Sequence, residues 1–248
     1  MHADSPRRLP VVQSFWHGRV STMERLSAAS FIANGHEMHV YAYDALPGLP
    51  AGAVVHDAAT IVPTRALRPS VYRDSRGSFS SFANMFRYRL LLEQGGWWVD
   101  LDTVCLRPFD LDDECVFPLE PDGTVSNGTF RVPPSSEVMA YAYERCRSLG
   151  RRRREWGVTG PRLLGEAVAE LGLERHVVPP DVFIPVAWQD WETFLDPARA
   201  WDFPATTLAV HLFNALWVRG GRDKDGDYPA GCLYELLKER YLSAAAPR

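Results

Sequence analysis

The sequence predicts an α/β fold: a mostly parallel central sheet flanked by helices. Three observations predict it. A strand-type run, a capped helix and an alternating strand follow one another before residue 45. A second strong helix ends at a glycine pair and feeds straight into another apolar strand. The chain has 248 residues, 46% of them hydrophobic and 23% charged, enough apolar content to bury a core without staples.

Pro10 to Trp16 is a short apolar run of strand type. Ser21-Thr-Met-Glu24 is a capping box and opens a helix that stops near Asn34-Gly35. His36 to Asp44 alternates and is rich in aromatics, so it reads as the next strand. Strand, helix, strand at this spacing makes a right-handed βαβ unit, with ligands expected beyond the C-terminal strand ends, near His17-Gly18 and Asp44.

Residues 45–77 read as loop with a short strand or helix. Ser78 to Gln94 is a helix with Phe82, Met85, Phe86, Arg89 and Leu90 on one side. Gly95-Gly96 ends it, and Trp97 to Leu106 is a buried strand leading to a turn at Pro108. Residues 109–134 are turn-rich. Ser135 to Cys146 is helical, and Thr159-Gly160-Pro161 opens a helix to about Leu171, with proline in its first turn. Val177 to Trp191 is irregular. Thr206 to Trp217 is a last strand or short helix. Tyr228 to Tyr241 is an amphipathic helix carrying Leu233, Leu236, Leu237 and Tyr241. No repeat or long linker divides the chain, so residues 10–242 read as one domain between flexible ends at 1–9 and 243–248.

The net charge of −4 argues against nucleic acid as a partner. Four cysteines without a C-x-x-C pair indicate small buried hydrophobes in a reducing compartment. The start lacks a signal-type apolar region, and no run is long enough to cross a bilayer. The expectation is a cytoplasmic protein with no transmembrane segment.

The chemistry concentrates at Asp100-Leu-Asp102. Two carboxylates two apart on a strand end point the same way. After an apolar run they sit at the edge of the core, where they repel each other unless a cation joins them. Paired hard oxygen ligands suit Mn²⁺ or Mg²⁺ shared with substrate phosphates. A bare D-x-D is also common as a solvated turn; the preceding helix, Gly95-Gly96 and aromatic strand favour the functional reading. Arg87, on an otherwise apolar helix, suits phosphate bidentately or pairs with a local carboxylate. Trp16 and Trp98 read equally as core aromatics. His211 reads as a core histidine or a ligand, Asn127-Gly128 as a plain turn or a lining segment, and Thr159-Gly160-Pro161 as a cap or an anion site. The Arg151–Arg154 run reads as a solvated helix end. Asp223, Asp225 and Asp227 imitate an EF-hand start, but the glycine falls at the wrong place and Tyr234 occupies the slot of the closing glutamate.

The run Ser81-Phe-Ala-Asn84-Met-Phe-Arg87-Tyr88, then Gly95-Gly96, then Asp100-Leu-Asp102 resembles the bacterial glycosyltransferases whose sugar-binding region contains a D-x-D motif. These are related to retaining capsular mannosyl- and galactosyltransferases and, distantly, to clostridial glucosylating toxins. Gln13 to Gly18, Ser126-Asn127-Gly128, Thr159-Gly160-Pro161 and His211-x-x-Asn214-x-x-Trp217 follow in the family's order. The resemblance implies a GT-A fold, a nucleotide-sugar donor (most often UDP-linked), Mn²⁺ or Mg²⁺, and transfer with retention to a polysaccharide, lipid-linked or small-molecule acceptor. It implies Asp100, Asp102 and Arg87 as catalytic residues. It implies donor contacts from Trp16, Asn84, Arg87, Trp98, Asp100, Leu101, Asn127 and Trp217. The metal ligands would be Asp102, His211 and Asn214, with Asp100 nearby or through water. Lid segments are expected around Trp188, Trp191 and Gly220-Gly221.

Two alternatives stand beside it. Asp100-Leu-Asp-Thr-Val104 also fits a haloacid-dehalogenase-like phosphatase with Asp100 as nucleophile, although about a hundred residues precede the motif where few are usual. The other is a nucleotide-sugar-binding protein without catalysis.

Overall fold

The computed structural model describes residues 9–63, 79–149 and 157–243. The Arg151–Arg154 run, most of the predicted 45–77 loop beyond residue 63, Ser78 and both expected flexible ends up to residue 8 and from 244 lie outside the described residues.

The chain is a mixed α/β structure around a five-stranded, mostly parallel sheet flanked by helices. Strand β1 (Val12–Phe15) is central, with β2 (Met38–Ala42) and β3 (Ala53–Asp57) parallel on one side and β4 (Gly96–Val99) parallel on the other. Strand β7 (Thr129–Val132) closes the β4 edge antiparallel. Two small pairs stand apart: β5 (Thr103–Cys105) with β9 (Ala209–His211), and β6 (Phe117–Pro118) with β8 (Val177–Val178).

Helices cover both faces. The period of two sends Trp97 to one face and Trp98 to the other. The Trp97 face packs with α1 (Thr22–Ala33) and α7 (Leu233–Leu242) through Met23, Leu26, Phe31 and Tyr234. The Trp98 face packs with α2 (Ser80–Gln94), α3 (Glu137–Ser148) and α4 (Pro161–Glu170) through Phe82, Phe86 and Leu164. Helix α5 (Pro180–Phe183), a 3-10 segment (Trp188–Leu195) and α6 (Asn214–Arg219) complete the architecture.

The capping box of α1 is present, but Glu24 does more than cap. Its carboxylate is fully buried and takes Lys224 Nζ at 2.5 Å, tying the C-terminal loop to the start of α1. Gly95 shows why a glycine is needed there. Its φ is +63°, and a Cβ would lie 2.3 Å from the Pro134 backbone nitrogen, so α2 can turn into β4 against the Pro133-Pro134 segment only without a side chain.

Several expectations are corrected. The predicted strand Trp97–Leu106 breaks into β4 and β5, which belong to different sheets, because Asp100 to Asp102 forms a turn with Thr103 N–H bonded to Asp100 O at 2.9 Å. The stretch 177–191 is partly regular, and 206–217 holds both a strand and a helix. Helix α7 begins at Leu233, not Tyr228; the Tyr228 N–H is bound by Glu235 instead. On that helix Leu236 is exposed while Leu233, Leu237 and Tyr241 are buried. Cys105, Cys146 and Cys232 are buried and form no disulfide, as small hydrophobes; Cys115 is half-buried.

His36 supplies a pH test of the core. Its Nδ1 lies 2.8 Å from Pro10 O and its Nε2 accepts the Phe109 N–H at 2.9 Å, a pattern that only the neutral ring satisfies. Burial lowers its pKa below the ordinary 6.5. The unfolded chain therefore binds the proton more readily, so this contribution is complete above about pH 6.5 and is lost as pH falls below it. Urea midpoints should drop from pH 7.5 to 5.5 with a slope that shrinks in His36→Gln. An unchanged slope would remove His36 from the account.

Candidate active site

Parallel pairing puts the C-terminal ends of β1, β2 and β4 on one edge of the sheet. Trp16-His17 follows β1, Asp44 follows β2 and Asp100–Asp102 follows β4. This is where open α/β sheets bind ligands.

The turn, not the strand, brings the carboxylates together. Asp102 Oδ1 lies 3.1 Å from His211 Nε2, and its Oδ2 accepts the Asn214 N–H at 2.8 Å. The β5–β9 pairing sets this up, since Thr103 stands opposite His211. Asp100 Oδ1 accepts Arg87 Nη2 at 2.6 Å and Trp98 Nε1 at 2.7 Å. Arg87 rises from α2, is nearly fully buried, lies over the Trp98 ring at 4.6 Å and also donates to Asn127 O. Gly128 completes the corner: a Cβ there would sit 3.3 Å from Asp100 Oδ2 and 3.4 Å from His211 Cε1.

Asp100, Asp102 and His211 offer one ligand atom each, all within 4.8 Å of one another. Dehydration raises the Asp100 carboxyl above its ordinary value; Arg87 opposes this and the Asp102 charge adds to it. The same dehydration acts on Asp102, but the His211 charge and hydrogen bond with the Asn214 N–H outweigh it and hold that carboxyl low. Dehydration also works against the His211 cation, yet Asp102, Asp100 and Glu120 together raise its pKa to about 9. The corner thus demands positive charge. A divalent cation fits this demand, and two carboxylates with an imidazole are a donor set able to hold one. A further acceptor stands by: Asn214 Oδ1 is buried without a hydrogen-bond partner.

Beside this corner lies a second polar group. Asn127 Nδ2 donates to Asn84 Oδ1 at 2.8 Å, Asn84 Nδ2 donates to Thr159 Oγ1 at 3.2 Å, and Gly160 at the start of α4 lets both amides approach. Along the same sheet edge is a cleft of about 330 Å³ lined by Trp16, Arg19, Asp44 and Leu46. Lys224 Nζ lies over the Trp16 ring at 5.4 Å.

The structure therefore gathers Arg87, Asp100, Asp102, His211 and Asn214 into one cluster, with Asn84 and Asn127 joined to it through Arg87. Trp16 lines the separate cleft. Three of the residues expected to contact a donor have buried side chains. Trp98 is buried and meets the corner through Asp100 and the Arg87 guanidinium over its ring; the Leu101 side chain lies in the core; Trp217 is fully buried, donating to Leu212 O at 2.8 Å and packing on Tyr234 at 4.7 Å. Burial of large apolar side chains accounts for these positions. Glu120 and Lys224 are not among the expected site residues. Glu120 sits in a Pro-Gly turn and Lys224 in a run of charges, and no local pattern sets either apart.

No family model matches the chain, and no curated protein matches it. Solved structures do. "PaToxG Glycosyltransferase" is 12% identical with a TM-score of 0.48, over 67% of this chain and 72% of that one. The apo form of glycosyltransferase GlyE from Streptococcus pneumoniae TIGR4 is 11% identical with a TM-score of 0.43, over 95% of this chain and 64% of that one. Among the described residues no helix is long and apolar enough to cross a membrane.

Proposed function

We propose that this chain is a metal-dependent glycosyltransferase of GT-A type that moves a sugar from a nucleotide-sugar donor, with UDP as the first nucleotide to test, to an acceptor with retention. The observation that carries the reading is the convergence of Asp100, Asp102 and His211 beside buried Arg87 at the C-terminal sheet edge. Asp102, His211 and Asn214 would hold the metal, with Asp100 beside them. Bound there, a divalent cation supplies Lewis-acid stabilisation of a leaving diphosphate.

The chain's own residues account for the remaining work. Arg87, fixed by Asp100 and Asn127 O, offers a preorganised positive charge to the diphosphate at no reorganisation cost. Asn84 and Asn127 at the start of α4 present amide donors and acceptors to sugar hydroxyls. The Trp16 cleft, on the same edge, accepts a flat aromatic base. The phosphatase alternative is disfavoured because Asp100 Oδ1 is already taken by Arg87 and Trp98; a nucleophile needs a freer carboxylate.

The test is thermal shift of the chain with UDP, GDP, dTDP and their sugars, with Mn²⁺ or with chelator. A ligand at about 100 times its Kd adds about 2.7 kcal/mol to stability. The expected result is stabilisation by one nucleotide that vanishes with chelator and grows with one sugar. No nucleotide binding, with Mg²⁺-dependent hydrolysis of a phosphate ester, would replace this reading by the phosphatase one.

A further inference from the structure

Trp188 is 43% exposed, an unusual position for the largest apolar side chain. The segment that carries it is not loose. Trp191 packs on Trp217 at 5.8 Å, and buried Phe194 stacks on Phe213 at 6.4 Å. The segment is thus anchored to the core while Trp188 is turned outward. Its indole N–H points to Asp122 Oδ2 at 3.4 Å, which restricts the ring. Asp122 is itself held, with Oδ1 accepting the Thr124 N–H at 3.0 Å, in a turn closed by Glu120 N–H to Thr124 O at 2.8 Å.

That turn belongs to the loop between β6 and β7, whose other end carries Asn127 and Gly128. Trp188 and the Asp100–His211 corner therefore flank one short loop. Glu120 heads the same turn, its backbone N–H and C=O closing it on Thr124 O and the Gly123 N–H. The exposed ring, with Asp122 against its N–H, is thus joined to the loop that ends at that corner.

We propose that Trp188, Asp122 and Glu120 form a saccharide subsite that seats the acceptor, an inference resting on the glycosyl-transfer reading. An indole face takes the C–H face of a sugar ring, and carboxylates accept its hydroxyl hydrogens. Charge separates the two substrates. Asp122 and Glu120 repel phosphate, so the donor diphosphate belongs at Arg87 and a neutral sugar belongs here. A protein surface is a poorer occupant, because Gln189 and Asp190 beside Trp188 are exposed and polar.

The experiment is binding of the full chain to an array of immobilised oligosaccharides, with and without UDP and Mn²⁺, using wild type, Trp188→Ala and Trp188→Phe. Choline and a lysine-rich peptide are included as cationic probes. Saturable binding to one glycan class is expected, weakened about tenfold or more in Trp188→Ala and largely retained in Trp188→Phe. Matching melting temperatures show that the variants fold. Glycan binding unmoved by Trp188→Ala overturns the proposal, as does no glycan binding under either condition. Trp188-dependent binding of choline or the peptide instead overturns it in favour of a cation site. Failure of the transfer reading shows separately, as wild type without a metal-dependent nucleotide shift.

Discussion

Asp102→Asn is expected to abolish Mn²⁺-dependent stabilisation by the nucleotide-sugar and to cut turnover by a factor on the order of 10² to 10³ or more. The substitution is nearly isosteric. An amide oxygen can still accept the Asn214 N–H that Oδ2 accepts at 2.8 Å. What disappears is the charge, and with it both the hard anionic ligand and the partner of His211 at 3.1 Å. The melting temperature without ligand should fall but stay measurable, since the substitution removes the partner of His211 while relieving the repulsion between Asp102 and Asp100. The check is a calorimetric titration of Mn²⁺ and donor into both proteins, with donor turnover followed alongside. Wild-type-like metal dependence in Asp102→Asn would sink the metal site outright.

Arg87→Met is the second large effect, and it acts on stability as well as activity. Methionine fills the aliphatic stem but deletes a buried guanidinium that bonds Asp100 and Asn127 O and covers Trp98. Asp100 and Asp102 are then left together without their fixed cation. Breaking a fully buried pair costs about 3–5 kcal/mol. The Asp100 side chain is 31% exposed and the Arg87 side chain 4%, so water repays part of this and roughly 2–3 kcal/mol is expected. Arg87→Met with Asp100→Asn should regain part of the lost stability, because the amide carries no charge to strand. Activity should stay lost in both. If urea midpoints show the double variant no more stable than Arg87→Met, the loss comes from packing and not from the pair.

The site was unevenly legible in the sequence. Arg87 before a glycine pair and Asp100 and Asp102 after it stand close together in the chain, and their residue types point to metal and phosphate chemistry. His211 and Asn214 lie more than a hundred residues further on, and only the β5–β9 pairing brings them to Asp102. The two carboxylates converge for a different reason than alternation suggests, because a turn replaces the strand at that point. Trp217 and Leu101 lie near the candidate ligands in the chain yet point into the core, since burying an indole or an isobutyl group outweighs any weak ligand contact. Glu120 carried no signal, because a turn glutamate looks the same in the chain whether it faces solvent or a histidine.

By itself the sequence determined the α/β class, the helix starts at Ser21 and Pro161, the glycine stop at Gly95 and the carboxylate pair after β4. These are local properties: hydrophobic period, capping chemistry and backbone freedom act within a few residues. The tertiary structure alone decided which face each tryptophan occupies, that Lys224 meets Glu24, and that Arg87, Asp100, Asp102 and His211 share one corner. Those outcomes depend on strand order and on pairing between distant segments, where the energy comes from contacts that no short stretch of chain contains.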